Sequence, residues 1–301
     1  MSILVVGSVA LDSVKTPFGK KRDILGGSAT YFSYSASFFT DVRIVAVVGS
    51  DFPEEYLELF KKRNINLDGL QITDGKTFRW SGFYEYDMNE AKTVSTCLNV
   101  FETFKPEIPD SYKNTDYVFL ANIDPDLQMD VLSQIKKPKF VAADSMNLWI
   151  KLKKQSLLNL LSKIDIFVIN DGEARLLTEQ PSLIKAGRII LDYGPKYVVI
   201  KKGEHGSLLF SKQNFFSAPA YPLEEVFDPT GAGDTFAGGF FGWLAKLNKK
   251  PTEYDLRCAV IYGSVMASFN VEDFSLERMK RLKPAEIQSR YKKFKQITHF
   301  R

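Results

Sequence analysis

Asp228-Pro229-Thr230-Gly231-Ala232-Gly233-Asp234-Thr235-Phe236 stands directly before a helical run, Ala237–Lys246. Small residues at the entry to a helix leave backbone N–H groups free to point at one spot, which also feels the positive end of the helix dipole. The product is an anion hole, suited to the charge on transferred phosphoryl oxygens. Asp234 falls in the first turn beside that hole, where a carboxylate can take the proton of an attacking hydroxyl. The same residues can also serve as a plain helix cap, with Asp234 or Thr235 satisfying orphan amides.

Outward from this loop, short β-branched runs alternate with helical patterns. Strands are expected at Ile3–Val6, Arg43–Val48, Tyr117–Leu120, Phe140–Ala143, Ile166–Ile169, Tyr197–Lys201 and Ser207–Phe210. Helices are expected at Ser28–Phe39, Glu54–Arg63, Asp130–Ile135, Lys154–Lys163, Gly172–Leu177, Ser182–Asp192, Thr235–Lys246, Glu253–Phe269 and Pro284–Lys295. Strands spaced by helices build βαβ units, so the fold class is α/β with a mostly parallel sheet and helices on both faces. Ligands of such sheets sit beyond the carboxyl ends of the strands. Thr77–Val100 breaks the rhythm with alternating aromatic and β-branched residues around a polar turn, Asp87–Glu90, which reads as an antiparallel hairpin. Asp12–Asp23 adds strands beside it. The expected organisation is one domain over residues 1–301, with a small β lid from about 12–23 and 77–100; the bland alternative for the hairpin is an ordinary sheet edge.

Composition narrows the function. No apolar run approaches the ~18–20 residues that span a bilayer, and Met1–Gly7 reads as a buried strand rather than a secretory leader. Two cysteines, Cys97 and Cys258, make neither a disulfide framework nor a zinc pattern, which points to a reducing cytoplasm. With only His205 and His299, metal clusters and Ser-His catalysis have little to work with. The net charge of +4 is mild, and the basic segment Lys280–Arg301 reads as a solvated amphipathic helix. Neither a nucleic-acid nor a membrane partner is expected. Gly7-Ser8-Val9-Ala10 lacks the glycine spacing of a dinucleotide-binding turn, so a nucleotide-dependent oxidoreductase is set aside.

The run Asp228–Phe236 resembles the C-terminal motif of the ribokinase-like (PfkB) carbohydrate and nucleoside kinases, Asp-Thr/Pro-x-Gly/Ala-Ala-Gly-Asp-Thr/Ser-Phe, at all nine positions. The resemblance implies a three-layer α/β/α sandwich with a β-sheet lid. It makes Asp234 the catalytic base and the amides of Gly231, Ala232 and Gly233 the anion hole. A monovalent cation such as K⁺ would sit behind the loop, at Asp228 and Thr230. Asp12, about five positions after the first strand's Gly7, would grip acceptor hydroxyls, as a carboxylate can by accepting two hydrogen bonds. Gly26-Gly27 would let the acceptor approach bare backbone. Where the family places an Asn, this chain has Tyr31 with Thr30 beside it, a departure that points to a different or less polar acceptor.

Other segments follow the same pattern. Asn170-Asp171-Gly172-Glu173 matches the family's Asn-x-x-Glu motif, with Asn170 near the phosphates and Glu173 ordering the water shell of Mg²⁺; a helix capping pair is the other reading, and both can hold. Lys201, Gly203 and Gly206 would pass the ATP ribose and phosphates, and Asn270 the adenine. In the lid, Asn99 reads as an inward contact to the acceptor, and Arg79 and Tyr84 as cross-strand or edge pairs. The expected reaction moves the γ-phosphate of ATP, with Mg²⁺, to a hydroxyl of a small sugar or polyol. The alternative is a nucleoside kinase, whose base the aromatic lid (Phe78, Trp80, Phe83, Tyr84, Tyr86) would suit by stacking. The lid edge can pair with a second copy to form a homodimer or be left capped, and both assemblies stay open.

Overall fold

The computed structural model describes residues 2–299; Met1 and the last two residues of the basic C-terminal segment lie outside them. Among the described residues, thirteen strands form two sheets. In chain order they are β1 (Ser2–Val6), β2 (Ala10–Thr16), β3 (Gly19–Gly26), β4 (Asp41–Gly49), β5 (Ile65–Thr73), β6 (Phe78–Tyr84), β7 (Ala91–Cys97), β8 (Tyr117–Leu120), β9 (Phe140–Asp144), β10 (Ile166–Asn170), β11 (Tyr197–Lys201), β12 (Ser207–Ser211) and β13 (Phe215–Ala218). The large sheet has the order β13-β12-β11-β10-β9-β8-β1-β4-β5 and is parallel from β5 to β11. β12 and β13 add an antiparallel edge.

Strands buried on both faces read as unbroken apolar runs, and Ile3–Val6 and Ile166–Ile169 are of that kind. One buried cluster, with Phe32, Phe241 and Val265, lies on one face of the sheet. A second, with Phe104, Leu157 and Ile190, lies on the other. The result is the expected three-layer α/β/α sandwich. The small sheet has the order β3-β2-β6-β7. Its strands come from the two segments singled out in the sequence, and β2 follows the end of β1 after three residues.

The differences lie at edges and ends. β5 and β13 are edge strands with polar residues at exposed positions, so they lack the apolar signature of the interior strands. The helix expected from Asp130 begins at Pro125, because Asp124 caps it by accepting from the Asp126 amide (3.0 Å). Two short helices, Asn147–Leu152 and Glu277–Arg281, carry no periodicity that a sequence reading could use.

The small sheet is fastened at its root. Asp51 Oδ1 accepts from both the amide and the hydroxyl of Thr77 (2.7 Å each), and the Gly49 amide donates to the same hydroxyl (3.0 Å). Arg79 pairs with Asp51 (2.9 Å) and Asp23 (3.2 Å), an edge pair as expected. Asn99 belongs to this root: its amide donates to the Thr77 carbonyl (2.9 Å). The donor end of the side chain is committed to the backbone that opens β6 rather than to the expected acceptor contact.

Candidate active site at the carboxyl end of the sheet

The helix Ala232–Leu247 starts at Gly231, whose φ of 73° lies in the left-handed region. No side chain caps this start, so the plain-cap reading of Asp234 and Thr235 does not hold. Asp234 stands in the first turn, and the helix entry keeps its positive character for an anion. Of the three amides expected to line the hole, that of Ala232 is engaged by the Pro229 carbonyl (3.1 Å), which closes the turn.

Buried polar contacts shape the loop from behind. Asp228 Oδ1 accepts from the Thr230 amide (2.9 Å), and its Oδ2 from the Ser275 amide (3.4 Å). Asn270 donates to the Thr230 carbonyl (2.9 Å) and accepts from the Thr235 hydroxyl (3.1 Å). Asn270 is 0% exposed. The expected adenine contact is therefore overturned: both ends of this amide are spent holding the loop, and no face is open to a nucleotide. Asn270→Ala would leave a buried carbonyl and hydroxyl unpaired, at about 1–3 kcal/mol. The denaturant midpoint should fall by that equivalent, with unchanged slope.

Tyr31 also lies behind the loop. Tyr31 is 2% exposed, and its ring carbons lie 2.3–2.4 Å from where a Cβ on Gly231 would stand. Thr30 is fully enclosed, its hydroxyl without a partner. The family's Asn position is here a packing position beneath the loop.

Asp12 belongs to β2, in the small sheet, opposite Trp80 of β6. It is 5% exposed and packs onto Gly26, where a Cβ would fall 1.9 Å from Oδ2. Gly27 has φ 96°, and its backbone N–H supports the Asp12 carboxylate. Burial pushes Asp12 up to about 8, with Asp228 and then Asp234 adding to it and the Gly27 amide opposing. The folded chain thus holds a proton that an ordinary carboxyl releases near pH ~4. Between those values the native state binds more protons than the unfolded one, so this group's stability contribution falls as pH rises. The wild-type Tm should decline relative to Asp12→Asn between about pH 5 and pH 8.5.

The ends of β9, β10 and β11 supply the other side of the site. Asn170 Oδ1 accepts from the Glu173 amide (2.7 Å) and Glu173 Oε2 from the Asn170 amide (2.9 Å), so the capping pair is real. Burial pushes Glu173 up, with Lys201 opposing. Lys201 Nζ lies 2.8 Å from where a Cβ on Gly233 would stand, which sets the ammonium against the helix start. Burial also raises Asp234, and Lys201 pulls it back. Asp144, at the end of β9, was not singled out in the sequence. It is 4% exposed, its Oδ1 has no partner, and burial drives its carboxyl far up, with Asp234 next among the causes. Its signal was positional: an acid ending an apolar strand, as Asn170 and Lys201 end the next two.

The nearby turn divides. Gly203 (φ 54°) is open, with only Asn89 of the hairpin tip near it. Gly206 (φ 84°) is pressed against its own chain, since a Cβ there would stand 2.1 Å from the Ala218 carbonyl. Its bare Cα serves that contact rather than nucleotide approach. His205 is exposed, as expected. From the small sheet, the Tyr84 hydroxyl meets Thr230 Oγ1 at 3.4 Å, so Tyr84 reaches the loop instead of pairing across strands.

The sequence model of the pfkB family carbohydrate kinases matches residues 13–280. The chain belongs to the pfkB family. It is 32% identical to the cytidine kinase of Thermococcus kodakarensis over 253 residues, 82% of this chain and 89% of that one. Among solved structures, the Methanocaldococcus jannaschii nucleoside kinase superposes with a TM-score of 0.77 at 21% identity, covering 97% of this chain and 98% of that one. A ribokinase II from E. coli reaches 0.81 at 16% identity, covering 97% and 99%. These likenesses bear out the fold. As a pfkB member, the chain is an ATP-dependent phosphotransferase acting on an alcohol group. Among the described residues, no helix is long and apolar enough to cross a membrane.

Proposed function

We propose that the chain phosphorylates the primary hydroxyl of a nucleoside, with the sugar or polyol reading as the alternative. The observation that carries the transfer chemistry is Asp234 in the first turn of an uncapped helix, with Lys201 against the same helix start. The extended similarity to a cytidine kinase favours a nucleoside over a free sugar. Asp12, with Gly26 and Gly27, binds acceptor hydroxyls on one side of the loop; Lys201, Asn170 and Gly203 bind ATP on the other. The acceptor oxygen bonds to the γ-phosphorus as the bond to the β,γ-bridging oxygen breaks. Its proton passes to Asp234, and ADP leaves. The Gly231 and Gly233 amides take up charge on the equatorial oxygens. The small sheet acts as the lid of one kinase domain and keeps water, a competing acceptor, out.

Mg²⁺ fits these residues as a water-held ion. Among the described residues, no three acids or His/Cys side chains are grouped to hold a metal alone. The unpartnered Asp144 Oδ1 and the neighbouring Glu173 offer carboxylates to its waters, the usual way this ion is held beside phosphates. It would neutralise charge on the β- and γ-phosphates. For K⁺, Asp228 offers a buried carboxylate without an ion pair among the described residues. We place the enzyme in the cytoplasm, and propose a homodimer through the exposed outer strand β7.

The deciding experiment measures ADP release over nucleosides, ribose, other sugars, sugar phosphates and polyols, with and without K⁺. Turnover highest on a nucleoside is the expected result. A chain that turns over ribose but no nucleoside would sink the nucleoside reading, and one that makes ADP with no acceptor would sink the kinase assignment for this site.

A further inference from the structure

Register decides which side chains of the small sheet face the loop. β2 and β6 pair in parallel, with Asp12 opposite Trp80 and Val14 opposite Gly82. Residues two apart on a strand share a face, so Asp12, Trp80, Gly82 and Tyr84 point the same way. Two of them show which way that is. Asp12 is buried against Gly26, and the Tyr84 hydroxyl meets Thr230. Trp80 therefore lies on the inner face, between two residues that reach the catalytic loop.

The indole is held there by unusual means. A Cβ on Gly82 would stand 2.3 and 2.4 Å from Cζ2 and Cη2 of Trp80, so the six-membered ring rests on bare backbone. Trp80 Nε1 donates to the Thr93 hydroxyl on β7 (3.1 Å), which pins the ring in place. Trp80 belongs to neither buried cluster and is only half-covered. A large aromatic ring is thus laid along a strand, pinned at its polar end and left partly uncovered beside Asp12, the residue proposed to bind acceptor hydroxyls.

We propose that this inner face recognises the base of the acceptor. A planar heteroaromatic ring stacks on the uncovered part of Trp80, and the Tyr84 hydroxyl, released from Thr230, hydrogen-bonds the attached sugar beside Asp12. Gly82 lets the indole lie down along the strand. This rests on the nucleoside reading and deepens it: specificity for the base resides in the lid, apart from the transfer machinery.

The test compares wild type with W80A, W80F and Y84F, using cytidine, uridine and adenosine as probes. Kinetics are read as acceptor KM against kcat, and calorimetry gives nucleoside binding without ATP. W80A should weaken nucleoside binding roughly 5- to 150-fold, the scale of a base–aromatic stack, with W80F restoring most of it. Y84F should raise acceptor KM by ~2- to 10-fold, the scale of one neutral hydrogen bond, leaving the KM for ATP in place. Should W80A fail to fold, Trp80→Leu fills the volume without a π face and should show the same loss. A wild type that uses nucleosides while W80A, or its Leu substitute, binds them normally overturns the platform alone. So does a loss shared equally by ATP and nucleoside. A wild type that uses ribose but no nucleoside overturns the nucleoside reading and the platform with it.

Discussion

Asp234→Asn should lower turnover by ~10²–10⁴-fold, the scale of a lost general base, with acceptor and ATP binding changed little. The substitution keeps shape and volume, so the loss belongs to proton acceptance. The surroundings make this sharper. Burial raises the Asp234 carboxyl, and Lys201 opposes that shift. Lys201 thus opposes the upward shift of its neighbour, besides the phosphate contact proposed for it. Lys201→Met should accordingly shift the acidic limb of the kcat profile upward in pH as well as weaken ATP binding. An Asp234→Asn enzyme with near wild-type turnover would remove Asp234 from the role of base.

The loop Asp228–Phe236 could be read directly because its chemistry is local: small residues, a helix entry and two acids, all within nine positions. The parallel sheet could be read for a similar reason, since strands buried on both faces announce themselves as apolar runs. What escaped depends on contacts between distant segments. Asn270 looked like a pocket residue, because nothing in its neighbours tells that Thr230 and Thr235 take both ends of its amide. Asp144 is one acid at a strand end, and only the sheet order brings it to Lys201 and Asp234. Tyr84 looked like a cross-strand partner until the register of β6 on β2 turned it inward. Tyr31 is the clearest case. As a sequence difference it suggested a changed acceptor, whereas the folded chain uses it as a floor under Gly231.

That floor makes Gly231→Ala the second large effect. The residue has φ 73°, where any side chain is strained, at about 1–3 kcal/mol. Its new Cβ would also stand 2.3–2.4 Å from three ring carbons of Tyr31. The ring has little room to retreat, being 2% exposed and enclosed near Asp12 and Asp228. Interiors packed at crystal density do not yield by an ångström, so the loop itself must lift. Its amides and Asp234 would lift with it, and a misplacement of about 1 Å costs ~10²-fold in rate. Gly231→Ala should therefore lose ~10²–10³-fold in kcat/KM, together with a lower Tm. Gly233→Ala is the matched comparison, for its Cβ would meet only Lys201 Nζ, at 2.8 Å, the free end of a flexible side chain. That variant should keep its Tm and show its loss mainly in ATP binding. If both variants behave alike in Tm and in the split between kcat and KM, Tyr31 is not what holds the loop in place.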